Sequence, residues 1–106
     1  MILETAILDV IPGHEDEFER AFVKASPLIA SMNGYSGHSL RRCVENPSRY
    51  LLLVRWRTLE DHAQGFRSSP EYQEWKALLH HFYDPFPTVE HYLAPLVGTD
   101  GADGSP

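Results

Sequence analysis

Residues 49–57, RYLLLVRWR, decide the fold. Successive side chains of a strand point to opposite faces, so Leu51 and Leu53 share one face while Leu52, Val54 and Trp56 share the other. Residues 2–11, ILETAILDVI, repeat the pattern, with Leu3, Ile7 and Ile11 on one side and Ala6, Leu8 and Val10 on the other. A sheet that packs helices on one face and meets water on the other alternates apolar with polar residues. Both faces are apolar here, so both need cover.

Upstream of 49–57, the turn-forming Asn46-Pro47-Ser48 links a second run, residues 35–45 (YSGHSLRRCVE), which predicts an antiparallel hairpin. Before it, strand 2–11 closes at Pro12-Gly13. Glu15, Asp16 and Glu17 then stand where the free amides of a helix start attract negative charge. Phe18, Ala21, Phe22, Ala25, Leu28, Ile29 and Met32 recur at helical spacing up to Asn33-Gly34. Pro27 lacks an amide hydrogen, which predicts a kink or a fresh turn at Ser26-Pro27. Downstream, Thr58-Leu59-Glu60-Asp61 resembles a capping box and predicts a short helix over about 59–66. Ser68-Ser69-Pro70-Glu71 opens another, over about 69–83, with Tyr72, Trp75, Leu78, Leu79 and Phe82 on one stripe. Asp84-Pro85 stops it, and 86–93, FPTVEHYL, reads as an edge strand led by proline.

The order β-α-β-β-(α)α-β defines an α+β, split-βαβ domain with a four-stranded antiparallel sheet and helices on one face. A chain of 106 residues holds enough helix for one face only. The other is predicted to be covered by a second copy, a homodimer through the sheet. The domain is expected over residues 1–97. The tail from 98 to 106, GTDGADGSP, has no hydrophobic residue large enough to dock and has a disordered composition.

A 42% hydrophobic, 23% charged composition is that of one globular domain. The net charge of −6 repels phosphate backbones, and no Lys/Arg cluster offsets it, which argues against nucleic acid. Cys43 is the only cysteine, so no internal disulfide forms, and the first residues carry no basic-apolar leader pattern. A cytoplasmic protein is expected. No run nears the roughly 18 apolar residues of a membrane span.

The stretch 54–92, VRWRTLEDHAQGFRSSPEYQEWKALLHHFYDPFPTVEHY, with Pro12-Gly13 before an acidic helix and Asn33-Gly34-Tyr35 before a strand, resembles the antibiotic-biosynthesis monooxygenase (ABM) family. The likeness rests on order and spacing and spans nearly all of residues 2–93. It implies a ferredoxin-like fold paired as a dimeric α/β barrel, with a pocket between sheet and helices in each subunit. The family's enzymes include cofactor-free oxygenases of polyketide phenols and haem-degrading oxygenases. The haem branch carries an Asn on strand 1, a Trp before the last helix and a His within it. The matching positions here are Ala6, Phe66 and roughly Lys76, which disfavours haem degradation by that route, with His80 or His81 one turn further on as a remaining candidate ligand.

Eight of the twelve Phe, Tyr and Trp residues lie between Trp56 and Tyr92, with His62, His80, His81 and His91 among them. Aromatic walls with a few inward polar groups suit a flat phenol or quinol. A base that removes its proton leaves an electron-rich anion able to react with O₂ without a cofactor. His62, one helical turn from Phe66, is the candidate base; the bland alternative is a surface histidine beside Glu60 and Asp61. Trp56, Phe66, Tyr72, Trp75, His80 and His91 are the candidate pocket wall, though Tyr72 and Trp75 on an apolar stripe fit a plain core as well. His80 and His81 point about 100° apart, so only one faces inward. Six histidines invite a metal, but none stand three or four apart as helical ligands would, and no metal site is predicted. Two readings stand: a cofactor-independent monooxygenase of a small aromatic, or a non-catalytic dimeric module that binds a small ligand. An inert module would fill the cavity with packed side chains.

Overall fold

Strand β1 (Ile2–Asp9) pairs antiparallel with both β3 (Arg49–Trp56) and β4 (Val89–Tyr92), and β3 pairs with β2 (Tyr35–Arg42), giving the order β2-β3-β1-β4. The structure, a computed structural model, describes residues 1–98. Apart from Gly98, the tail expected over 98–106 lies outside the described residues. The predicted βαββαβ architecture is what the chain adopts.

Register follows the side-chain period of two. Ala6 lies opposite Leu52, Glu4 opposite Val54 and Ile2 opposite Trp56, so Glu4, Ala6 and Leu8 share the face of Tyr50, Leu52, Val54 and Trp56. All seven are buried. The opposite face carries Leu3, Ile7, Leu51 and Leu53, and here Ile7 is 53% exposed. No helix in the described chain covers that face.

Helix α1 (Glu15–Ala30) starts on its three acids and buries Phe18, Phe22, Ala25 and Ile29, a stripe at three- and four-residue steps. It continues through Pro27 to Ala30 as one helix, so of the kink or fresh turn expected at Ser26-Pro27 the fresh turn does not form. The reason is packing: Ala25 and Ile29, on either side of the proline, are both fully buried in the core and hold the last turn in line. Ser48 on the β2–β3 turn donates its hydroxyl to Glu15, tying the hairpin to the helix start.

After β3 the chain forms a widened helical turn, Asp61–Phe66, closed by an i→i+5 hydrogen bond from the Arg67 amide to the His62 carbonyl (3.2 Å). Gly34 anchors it. That glycine has φ +81, and an added Cβ would fall 2.1 Å from an Asp61 carboxylate oxygen, so only glycine lets the turn seat there. The Thr58 hydroxyl accepts from the Asp61 amide and donates to its carboxylate, as the capping pattern foretold. Ser69 likewise caps helix α2 (Pro70–Leu79), its hydroxyl oxygen accepting from the Tyr72 amide at 3.1 Å. The helix expected to reach 83 ends at Leu79 and tightens into a 3₁₀ turn over His80–Phe82. β4 is shorter than expected because Pro85 and Pro87 cannot donate to a ladder. Among the described residues, no helix is long and apolar enough to cross a membrane.

Candidate active site

Two helices cover a sheet of four strands, and the gap between α2, the widened turn and the inner face of β1 is a cavity of about 430 Å³. Of the predicted wall residues, His62, Phe66, Tyr72, Trp75 and His80 line it. Trp56 and His91 stand behind that wall. The Trp56 ring stacks on His62 (centroids 5.3 Å apart, 22° between planes), and His91 Nε2 lies 2.7 Å from His62 Nδ1. The seven predicted residues therefore form one contiguous cluster. His81, as the adjacency argument required of one of the pair, faces solvent and packs on Phe82.

His62 is 3% exposed, so the surface alternative does not describe it. The widened turn achieves this: with His62 and Phe66 both buried, one broad turn presents two rings to the sheet. Phe66 meets Tyr72 and Trp75 edge-on at 5.2 and 5.6 Å, the preferred geometry of aromatic pairs.

Sequence reasoning missed the polar centre of the cavity. Glu4, on β1, is 5% exposed. Its Oε1 accepts the Trp56 indole N–H at 2.8 Å and lies 3.3 Å from His62 Nε2. A usable signal existed, because the period that sets Ala6, Leu8 and Val10 inward sets Glu4 inward too, and an acid on a core face demands a partner. Arg67, at the end of the widened turn, and Tyr83 and Phe86, beyond α2, also line the cavity.

Burial raises the Glu4 carboxyl above its ordinary value, against the indole hydrogen bond and the Arg67 charge that favour its ionised form. Burial also drives His62 down to about 3, aided by the positive charge of Arg67 and by His91. At neutral pH the imidazole is uncharged. His80 is lowered by burial and by Lys76, and burial pushes the Tyr83 phenol up.

A second cavity, of about 560 Å³, lies between α1 and β2. Its polar groups pair with one another. Tyr50 and Arg42 both donate to Glu19, and His38 sits between the Tyr35 hydroxyl and Ser26 Oγ, the latter 3.1 Å from Nε2.

The fold and this cavity define a class, and comparison with known proteins agrees. The antibiotic biosynthesis monooxygenase family model matches residues 1–78, and the chain belongs to that family. It is 61% identical over 92 residues to the uncharacterized protein YczJ of Bacillus subtilis (strain 168), covering 87% of this chain and 97% of that protein. Among solved structures, a Bordetella bronchiseptica protein named for the same family superposes with a TM-score of 0.85 at 38% identity, over 90% of this chain and 97% of the other. SnoaB, a cofactor-independent oxygenase from Streptomyces nogalater, shares the fold at TM-score 0.71 and 20% identity, over 93% of this chain and 95% of its own.

Proposed function

We propose that this protein is a cofactor-independent monooxygenase of a small aromatic or quinol compound, working as a homodimer paired through the open sheet face. The observation that carries the reading is the cavity: about 430 Å³ is left open, ringed by aromatics and holding a buried carboxyl, a neutral imidazole and a guanidinium. A packed, inert module has no use for a buried acid in a hollow. The description of SnoaB as a cofactor-independent oxygenase supports the same chemistry on the same fold.

In this mechanism the Glu4–His62 pair removes a proton from the bound hydroxyl. The resulting anion passes an electron to O₂ where water is scarce, and Arg67 and His80 face the oxygen that gains negative charge. One oxygen atom stays on the ring and the other leaves as water. The substrate leaves as the quinone: its hydroxyl hydrogen and one ring C–H hydrogen end in the water, and it supplies all four electrons that O₂ takes up, so no external reductant is consumed.

Leu3, Ile7, Leu51 and Leu53 form the apolar centre of the dimer face, with Asp9 and Arg49 paired at its margin at 2.8 Å. Residues 1–97 are the working domain. The lone Cys43 suits the reducing cytoplasm.

Oxygen uptake with a panel of anthrones, dihydroxynaphthalenes and hydroquinones tests the reading. Uptake is expected with wild type and about 100-fold less with His62→Ala. No uptake with any compound would leave the non-catalytic ligand-binding module. Sedimentation at micromolar concentration is expected to give a dimer; a monomer would refute the pairing.

A further inference from the structure

A general base needs a lone pair aimed at the proton it removes. A neutral imidazole has one N–H and one lone pair, and both nitrogens of His62 are already engaged, Nδ1 with His91 Nε2 at 2.7 Å and Nε2 with Glu4 Oε1 at 3.3 Å. With the carboxyl ionised, one arrangement suits every group: His91 donates to Nδ1, so Nε2 of His62 carries the proton and turns it toward Oε1 at 3.3 Å, a polar contact. His62 then has no lone pair for the cavity. Glu4 differs. Trp56 and His62 both approach the same oxygen, Oε1, and the carboxyl lines the cavity, which leaves Oε2 for a ligand.

We propose that Glu4 Oε2 is the atom that takes the substrate proton, and that Trp56, His62 and His91 are positioning residues that aim the carboxylate. This rests on reading the cavity as catalytic. In the step, the substrate O–H bond breaks, an Oε2–H bond forms and the electron pair stays on the substrate oxygen. Glu4 later returns the proton to the oxygen that departs as water. Burial strengthens Glu4 as a base by raising it toward neutrality. The groups that face it are Arg67 from the widened turn, His91 from β4, and Tyr72, His80 and Tyr83 across the cavity, with Lys76 near His80. Arg67 is the cation among the residues that line the cavity, and it moderates the rise without abolishing it.

The test pairs Glu4→Gln with His62→Gln, two neutral amides: the first retains an oxygen for the Trp56 indole N–H, the second a polar group beside Glu4. In oxygen uptake, Glu4→Gln is expected to lower kcat by about 100-fold or more with little change in KM, and to abolish the acidic limb of the pH profile. His62→Gln keeps an N–H for Oε1 and is expected to cost roughly tenfold, with that limb intact. The reverse ranking, or an acidic limb that survives Glu4→Gln, overturns the assignment.

A second readout needs no oxygenation and stands even if no substrate is consumed. On adding 4-nitrophenol, proton transfer gives the visible absorption of the bound nitrophenolate together with the infrared carbonyl band of a protonated carboxyl. Both are expected to vanish in Glu4→Gln. A nitrophenolate signal that persists in Glu4→Gln and vanishes in His62→Gln places the base at His62, and failure of the phenol to ionise in wild type refutes Glu4 as its acceptor.

Discussion

The two cavities over the inner face of the sheet are neighbours, yet their polar groups are arranged in opposite ways. Phe22 lines one and Trp75 the other, and the two rings touch edge-on at 5.4 Å. On the α1 side the lining acid, Glu19, meets a cation: it holds Arg42 together with the Tyr50 hydroxyl, and Arg42 also lies over the Tyr50 ring at 5.5 Å. On the α2 side Glu4 meets an indole and an imidazole, neither charged at neutral pH, while no ion pair joins Arg67 to a carboxylate among the described residues. A site whose charges cancel internally gains little from a ligand. One that holds an acid raised by burial, beside a cation that makes no ion pair among the described residues, gains a great deal, and perturbed groups of this kind mark functional sites.

The comparison breaks first at Trp56, which is fully buried and supports the α2-side cavity by stacking on His62 and donating to Glu4. Trp56→Ala is expected to destabilise the fold by about 3–5 kcal/mol, the range for removing a large buried ring. Chemical denaturation measures this. A loss below about 1 kcal/mol would mean that the wall collapses easily and that the cavity is not held open by its pillar.

Acidification is expected to give the next largest effect. His62 binds a proton near 6.5 when unfolded and near about 3 when folded, so the unfolded chain holds more protons across that window. Its contribution to stability is complete above 6.5 and is lost as pH falls toward 3, at up to about 1.4 kcal/mol per pH unit. Glu4 acts with the opposite sign. Its raised folded value means that the native state holds the extra proton, so stability falls as pH rises from the unfolded value of 4.5 into the folded one. Glu4→Gln removes that opposing term, and His62→Gln is expected to flatten the slope between 6.5 and 3. Thermal unfolding across this range reads both; an unchanged slope in His62→Gln would show that His62 titrates normally.

Much of this architecture is legible in the chain. The two-faced pattern of RYLLLVRWR and ILETAILDVI gave the sheet its central pair, and the Ser69-Pro70 start of α2 was readable because capping chemistry is local. Where the sequence misled, long-range packing decided: the burial of Ala25 and Ile29 carries α1 through Pro27, and Leu79 ends α2 sooner than its stripe suggests. The aromatic cluster was readable from its density after Trp56. Glu4 was not singled out, because its meaning depends on Trp56, 52 residues away, and on an imidazole delivered by a turn of unusual width.

The smallest expected effect sharpens the comparison most. Ser26 donates its hydroxyl to the Phe22 carbonyl at 3.0 Å and lies 3.1 Å from His38 Nε2, and His38 in turn meets the Tyr35 hydroxyl. This chain of serine, histidine and tyrosine beside a cavity resembles a nucleophile with its base. Yet one proton arrangement satisfies all three: the tyrosine donates to Nδ1, Nε2–H donates to Ser26, and Ser26 donates to its own helix. The serine then acts as a structural link. Ser26→Ala is expected to cost about 1 kcal/mol of stability and to leave oxygen uptake unchanged, since this chain meets the α2-side cavity through the rings of Tyr35 on Trp56 (6.3 Å) and Phe22 on Trp75 (5.4 Å), contacts that the serine hydroxyl does not make. Loss of uptake in Ser26→Ala would join the two cavities into one functional unit and end the distinction between them.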